Sequence, residues 1–196
     1  MPRSHTLVGD EYAVLTRAST AEATHYLRSE VSAAVPTACV ELAFQRIASL
    51  PAEEAVSLLV ELLGWKRPLS AAEHLGIFIH PNTPDNLYPA VSTLFRIGAP
   101  AEPGVIRFLA LADEENNLER KHAIYSLLLI HHGNIMDVLE NLMRASRSTP
   151  NSGDSARLRT ATADAREQWC DERIHEKCMP VVQRPNHQCP RGAAPE

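Results

Sequence analysis

Long apolar runs are missing from this chain of 196 residues, where hydrophobic residues make up 44%. The runs that exist span only a handful of residues, too few to cross a bilayer as a helix. The opening Met-Pro-Arg-Ser-His-Thr carries a charge but leads into no apolar h-region, so no secretory leader is expected. The expected compartment is the cytoplasm, with no membrane partner. Cysteine is scarce, at Cys39, Cys170, Cys178 and Cys189, and no paired CxxC occurs. Reduced thiols are the default without a leader, and Cys39, alone in a helical stretch, reads as a small buried hydrophobe. Aromatics reach only 5%. Excess positive charge is also missing: the net charge is −5, which argues against a protein held mainly on nucleic-acid phosphates. No GxGxxG, P-loop, HExxH or nucleophile-elbow motif occurs. An enzyme is therefore not expected, and no cofactor is assigned.

What the sequence does contain is helix. Arginine outnumbers lysine 16 to 3 and alanine is abundant, a bias of GC-rich bacterial genomes that also raises helix propensity. A chain of this size buries about 70% of its extended-chain surface and needs neither metal nor disulfide to hold a core. Apolar residues recur at helical spacing over 38–50, 52–63, 87–97, 104–112, 118–130 and 135–145. A thinner stripe, Leu158, Ala161, Ala165 and Trp169, predicts a helix over 155–173. Earlier helices are expected at 10–17 and 20–34. Thr37 can cap the helix that follows, Pro51 and Pro103 suit first turns, Asn116 with Glu119 reads as a capping box, and Gly133 fits a helix end. Only Gly76-Ile77-Phe78-Ile79 looks strand-like, and Ser70 with Glu73 ahead of it favours a short helix over 71–79.

The helices repeat. At a shift of 33, Ala90, Val91, Leu94 and Ile97 meet Ala123, Ile124, Leu127 and Ile130. In the same register Val105, Ile106, Leu109 and Ala112 meet Val138, Leu139, Leu142 and Ala145. At a shift of 50, Phe44 and Ile47 meet Leu94 and Ile97, while Ala55, Val56 and Leu59 meet Val105, Ile106 and Leu109. The two shifts differ by an insertion within 64–87. Three helix pairs result, about 38–63, 87–112 and 118–145, each with an apolar side it cannot bury alone.

The stretch Tyr88-Pro89-Ala90-Val91-Ser92-Thr93-Leu94-Phe95-Arg96-Ile97-Gly98-Ala99-Pro100-Ala101 resembles a HEAT-like repeat. The resemblance covers about 38–145 and is closest at 87–145. It implies an all-α fold, a short right-handed stack of about three helix pairs with capping helices at each end. On that reading 1–175 is a single helical-repeat domain carrying the 64–87 insertion, and 176–196, with prolines at 180, 185, 190 and 195, is a flexible tail. The chain departs from the family pattern in the insertion and in His131-His132-Gly133, which replaces a simple Ile-Gly turn.

In such stacks the second helices line a concave binding face. Here they carry Glu53, Glu54, Glu61, Asp113, Glu114, Glu115, Asp137 and Glu140 against Arg107 and Arg144. An acidic face favours a protein partner with a basic segment and repels nucleic acid; Glu54, Glu61, Asp137 and Glu140 are its candidate contacts. The plainer reading is a solvated face. Trp65, in the insertion, reads either as an interface anchor or as packing over its own repeat. Arg159, Arg166 and Arg173 fall every seven residues on one helix face, a candidate surface for an acidic partner or phosphate, or else an ordinary charged helix.

The alternatives are a nucleic-acid binder or a HEAT-like DNA glycosylase, disfavoured by the acidic groove and few aromatics, and a metal-dependent protein. The last would draw on His74, His80, His122, His131 and His132, or on Cys170, His175, Cys178, His187 and Cys189, whose spacings match no trusted zinc pattern. No carboxylate stands at an obvious ligand spacing from the histidines. His131 and His132, near a helix C-terminus, are favoured as cations by the dipole.

Overall fold

The computed structural model describes residues 37–67 and 87–170. The helices expected at 10–17, 20–34 and 71–79, the strand-like tetrapeptide, most of the 64–87 insertion and the 176–196 tail lie outside them. Among the described residues there are seven α-helices and no strand: α1 (Thr37–Ala48), α2 (Ala52–Glu61), α3 (Pro89–Ile97), α4 (Glu102–Leu111), α5 (Asn117–Ile130), α6 (Ile135–Ser148) and α7 (Ser152–Cys170). Single 3₁₀ turns, Ala99–Ala101 and Glu114–Asn116, precede α4 and α5. The chain divides into two compact units between Ala101 and Glu102, inside the second helix pair of the periodicity.

In the first unit α1, α2 and α3 pack against one another. Each contributes an inward stripe at helical spacing: Val40, Ala43, Phe44 and Ile47 from α1, Ala55, Val56 and Leu59 from α2, and Ala90, Val91 and Leu94 from α3, all buried. The carbonyl of Pro51 accepts the first backbone bond of α2, from Ala55 N at 3.0 Å, so proline stands just ahead of the helix where its missing N–H costs nothing. Pro89 is the first residue of α3. Gly98 ends α3 at φ 72°, ψ −144°, a backbone region open essentially to glycine alone. The N–H of Arg67 donates to the carbonyl of Leu87 at 2.8 Å, which brings together the two flanks of the insertion.

In the second unit α5 is the central helix, packed against α4, α6 and α7. It is buried nearly all round, including Arg120, His122 and Ser126. Its start corrects the capping-box reading: Asn116 has φ −85°, ψ 40° and its side chain makes no cap bond. The 3₁₀ turn runs straight into the helix, and an N-cap needs extended backbone to aim its side chain at the free N–H groups. Its end is a Schellman turn. The N–H of His132 donates to Leu129 and that of Gly133 to Leu128, at 2.9 and 2.7 Å. His132 (φ 50°) takes the left-handed position expected of the glycine, and Gly133 (φ 78°) follows in the same region. Asn134 then caps α6, its side chain accepting from Met136 N at 3.2 Å.

Helices α6 and α7 form a hairpin around a three-residue link, fastened by Ser146 and Ser155, whose hydroxyls each donate to the other's carbonyl at 3.1 and 2.8 Å. Helix α7 also packs against α4 and α5. Its stripe is the expected one: Leu158, Ala161, Ala165 and Trp169 are all buried.

The helix ends follow the sequence offsets. Ile97 and Ile130 end α3 and α5, and Glu102 and Ile135 begin α4 and α6, each 33 apart; α2 and α4 match end for end at 50. Five of the matched apolar pairs at shift 33 are buried in both members: Ala90 and Ala123, Val91 and Ile124, Leu94 and Leu127, Val105 and Val138, Leu109 and Leu142.

Candidate functional site

Helix α6 turns one face to the core and another outward. Ile135, Val138, Leu139, Leu142 and Ser146 are buried. Met136, Asp137, Glu140, Arg144 and Arg147 are exposed. Met136 is a large apolar side chain left 61% exposed. Positions 136, 140, 143 or 144, and 147 fall on one stripe, spanning about 16 Å of helix at 1.5 Å per residue.

That stripe floors a groove of about 590 Å³ between α6 and α7. Met136, Leu139 and Met143 supply its apolar surface, and Arg144, Arg147 and Arg166 its cations, with Glu140 and Ser148 completing the lining. Arg166 comes from α7; the other described lining residues come from α6. The groove thus has a floor and one side wall. Glu140 and Arg144 form an exposed i, i+4 pair at 2.7 Å, so one guanidinium is offset, and the lining holds three arginines to one carboxylate.

The wall is held by a polar link. Arg120 on α5 is 5% exposed. Its Nη1 donates to the carbonyl of Ala112, just past the end of α4, at 3.3 Å, and its Nη2 pairs with Asp164 of α7 at 3.1 Å. One guanidinium therefore closes the C-terminus of α4 and fixes α7 beside α5. Arg157 adds an exposed pair to Asp113 at 3.0 Å and a second to Asp154 at 3.3 Å.

A second polar cluster sits where α5 gives way to α6. His131 Nε2 lies 3.1 Å from Glu102 Oε1, and its Nδ1 3.9 Å from Asp137. Asn141 Nδ2 donates to the same Glu102 oxygen. Carboxylates do therefore stand beside His131, contrary to the reading from spacing: Glu102 lies at the start of α4, and only the packing of α4, α5 and α6 brings it there. Among the described residues no group of three or more His, Cys, Asp or Glu side chains is placed to hold a metal ion. His74, His80 and the tail ligands lie outside the described residues, except Cys170, which is disulfide-bonded. That overturns the reduced-thiol default for this cysteine and removes it from any metal set, because a disulfide sulfur is no thiolate.

The remaining candidates scatter. Glu54 and Glu61 are exposed on α2 in the first unit, Asp137 and Glu140 on α6 in the second. Asp137 faces His131 and Glu140 faces Arg144. Trp65 is half-buried, its ring 5.8 Å from that of the core residue Phe44 on α1. Arg159 is exposed, with Nη1 3.4 Å from the Ser155 hydroxyl; Arg166 lines the groove, and Arg173 is outside the described residues. The sequence reading missed Met136, Met143 and Arg147, since an outward methionine on an amphipathic helix differs from an inward one only by its phase.

No known family model matches the chain, and neither a curated protein nor a solved structure is significantly similar to it.

Proposed function

We propose that the chain is a non-enzymatic, HEAT-like helical-repeat module that binds another protein, with the groove between α6 and α7 as its contact surface. The observation that carries this reading is the groove itself: an apolar floor ending in Met136, 61% exposed, under a cationic rim. Methionine adapts its shape to a partner at little cost, and arginine beside it offers paired donors to a partner's carboxylates. The shared offsets of helix ends and buried positions support the repeat architecture. A photo-crosslinking amino acid placed at Met136 in the native host tests the proposal, with one at exposed Arg159 as the control. A protein adduct specific to position 136 supports it. Adducts at neither position, or equally at both, remove the groove from consideration.

A basic partner segment is the second reading, favoured by α2, whose outer face exposes Glu53, Glu54 and Glu61 while Ala55, Val56 and Leu59 turn inward. The same crosslinker at Glu54 tests it separately: an adduct there, and none at Met136, selects it.

A further inference from the structure

We infer that the partner of the α6–α7 groove is an acidic amphipathic helix. The inference rests on the protein-binding reading above and adds the chemistry of what is bound. Three features of the groove carry it.

The first is shape. Among the described residues every one that lines the groove but Arg166 belongs to α6, so the described lining is a trough along one helix with one side wall. A small apolar ligand gains most by being enclosed, with the greater part of its surface buried. A trough with one wall leaves such a ligand largely wet, but suits a rod laid lengthwise. The lined stretch of α6, from Met136 to Ser148, is about three helical turns, the length over which a bound helix offers anchors at i, i+3 or i+4, and i+7. A flat bilayer surface does not reach into a trough, whereas a ridge of side chains does.

The second is the apolar track. Met136 and Met143, seven residues apart, supply its accessible apolar surface, with the buried Leu139 at its base between them. A partner helix with leucines two turns apart meets both methionines.

The third is charge. The antiparallel hairpin that sets Ser155 beside Ser146 carries Arg166 alongside the first half of α6, while Arg144 and Arg147 stand in its second half. Guanidinium groups thus stand at both ends of the apolar track, and among the described lining residues Glu140, paired with Arg144, is the one carboxylate. An occupant with acidic residues beside its apolar stripe meets complementary charge along its length; a basic one meets repulsion. Guanidinium pairs with carboxylate through two parallel bonds, which fixes orientation as well as sign.

The probe is a labelled, end-blocked 18-residue alanine-based peptide with leucines at i, i+3, i+4 and i+7 and glutamates on the flanks, titrated onto the full chain by fluorescence anisotropy. Its control is the same peptide with lysine for glutamate. The expected result is saturable binding of the acidic peptide, weakened as salt rises, and none of the basic one. Both Arg144 and Arg147 are exposed, so the R144E/R147E variant keeps its fold, checked by its melting curve. It should bind the acidic peptide about tenfold or more weakly and gain affinity for the basic peptide. M136S should weaken the acidic peptide without that gain. Equal binding of both peptides, indifference to R144E/R147E, or displacement of the acidic peptide by vesicles of three parts phosphatidylcholine to one part phosphatidylserine would each overturn the inference. Binding of neither peptide, alongside a protein adduct at position 136, would overturn it while leaving the protein-binding reading intact. Absence of that adduct would remove the broader reading by itself.

Discussion

Helices α2 and α6 are linked through α4 by the sequence offsets of 50 and 33, and each carries acids on its outer side. Their inward faces are alike. Ala55, Val56 and Leu59 on α2 answer to Val138, Leu139 and Leu142 on α6, and all six are buried. Their outward faces are not alike. On α2 the exposed glutamates stand over inward apolar residues. On α6 Glu140 is paired with Arg144 and Asp137 lies 3.9 Å from His131, and the exposed remainder is methionine and arginine. Counting acids along both helices makes one acidic face of them; locating the neighbours of each acid tells the two faces apart. Charge along a helix is a matter of neighbours, and half of those neighbours are fixed by three-dimensional packing.

The largest effects test the half of the comparison that says the inward faces are equivalent. Leu59 and Leu142 are both fully buried. Truncation to alanine removes the transfer free energy of the side chain and leaves a cavity, about 2–5 kcal/mol at such sites. Leu59→Ala and Leu142→Ala should each lose stability in that range by denaturant unfolding. A loss well below 2 kcal/mol for one alone would show that its helix is not seated as the other is.

The next effect concerns the wall that gives α6 its groove. Asp164→Ala leaves Arg120, 5% exposed, with the Ala112 carbonyl but without its carboxylate. An unpaired charge in the interior costs about 3 kcal/mol, whereas removing both partners costs less than the sum. The expected signature is therefore non-additive: a double Arg120→Met/Asp164→Ala variant more stable than the two single losses combined predict. Strict additivity would mean that the guanidinium and carboxylate do not share the bond. Because this link fixes α7 beside α5, Asp164→Ala should also loosen the groove and lower any binding measured there.

The sequence was most readable where one helix suffices to decide the outcome. The inward stripes of α1, α2, α6 and α7 lie at the positions that periodicity assigned, and the turns at Pro51, Pro89 and Gly98 follow from what proline and glycine allow. It was least readable where two distant segments meet. The partner of Asp164 is Arg120, buried on α5 and 44 residues away in the chain. His131 looked bare of carboxylates because Glu102 is far away in the chain. Asn116 looked like a cap because its residue type is right, but its backbone dihedrals are not. For the candidate surface Glu54, Glu61, Asp137 and Glu140 are exposed as expected, while Met136, Met143 and Arg147 were not weighed, since a groove between two helices has no pattern in either helix alone. The disulfide at Cys170 had no local signal either; peptide mapping without reductant should recover the Cys170 peptide joined to a second cysteine peptide, and recovery of a free thiol there would restore the reduced default.

Smaller effects separate the two helices at their starts. α6 is opened by Asn134, which accepts from Met136 N, whereas α2 is opened by Pro51 with no side-chain cap bond. Asn134→Ala should cost about 1 kcal/mol, the usual value of such a cap. Gly133, at φ 78°, should cost a further 1–2 kcal/mol or so when replaced by alanine, since a Cβ is strained in the left-handed region. If Asn134→Ala left the unfolding midpoint unmoved, α6 would be held by its packing alone, and the contrast with α2 at this end would vanish.

The smallest effect is the one that bears on binding. Glu140 and Arg144 are 71% and 68% exposed in their side chains and 2.7 Å apart. Water and salt screen such a pair, so a double-mutant cycle to alanine should give a coupling of only about 0.3–0.5 kcal/mol, decreasing with added salt. The weakness of that coupling matters, because a guanidinium held so loosely by its own helix can turn to a partner's carboxylate at little cost. A coupling of 2 kcal/mol or more would mean that Arg144 is committed to Glu140, leaving Arg147 as the exposed cation of the α6 stripe. The α6 face would then differ from that of α2 by its methionine more than by its charge.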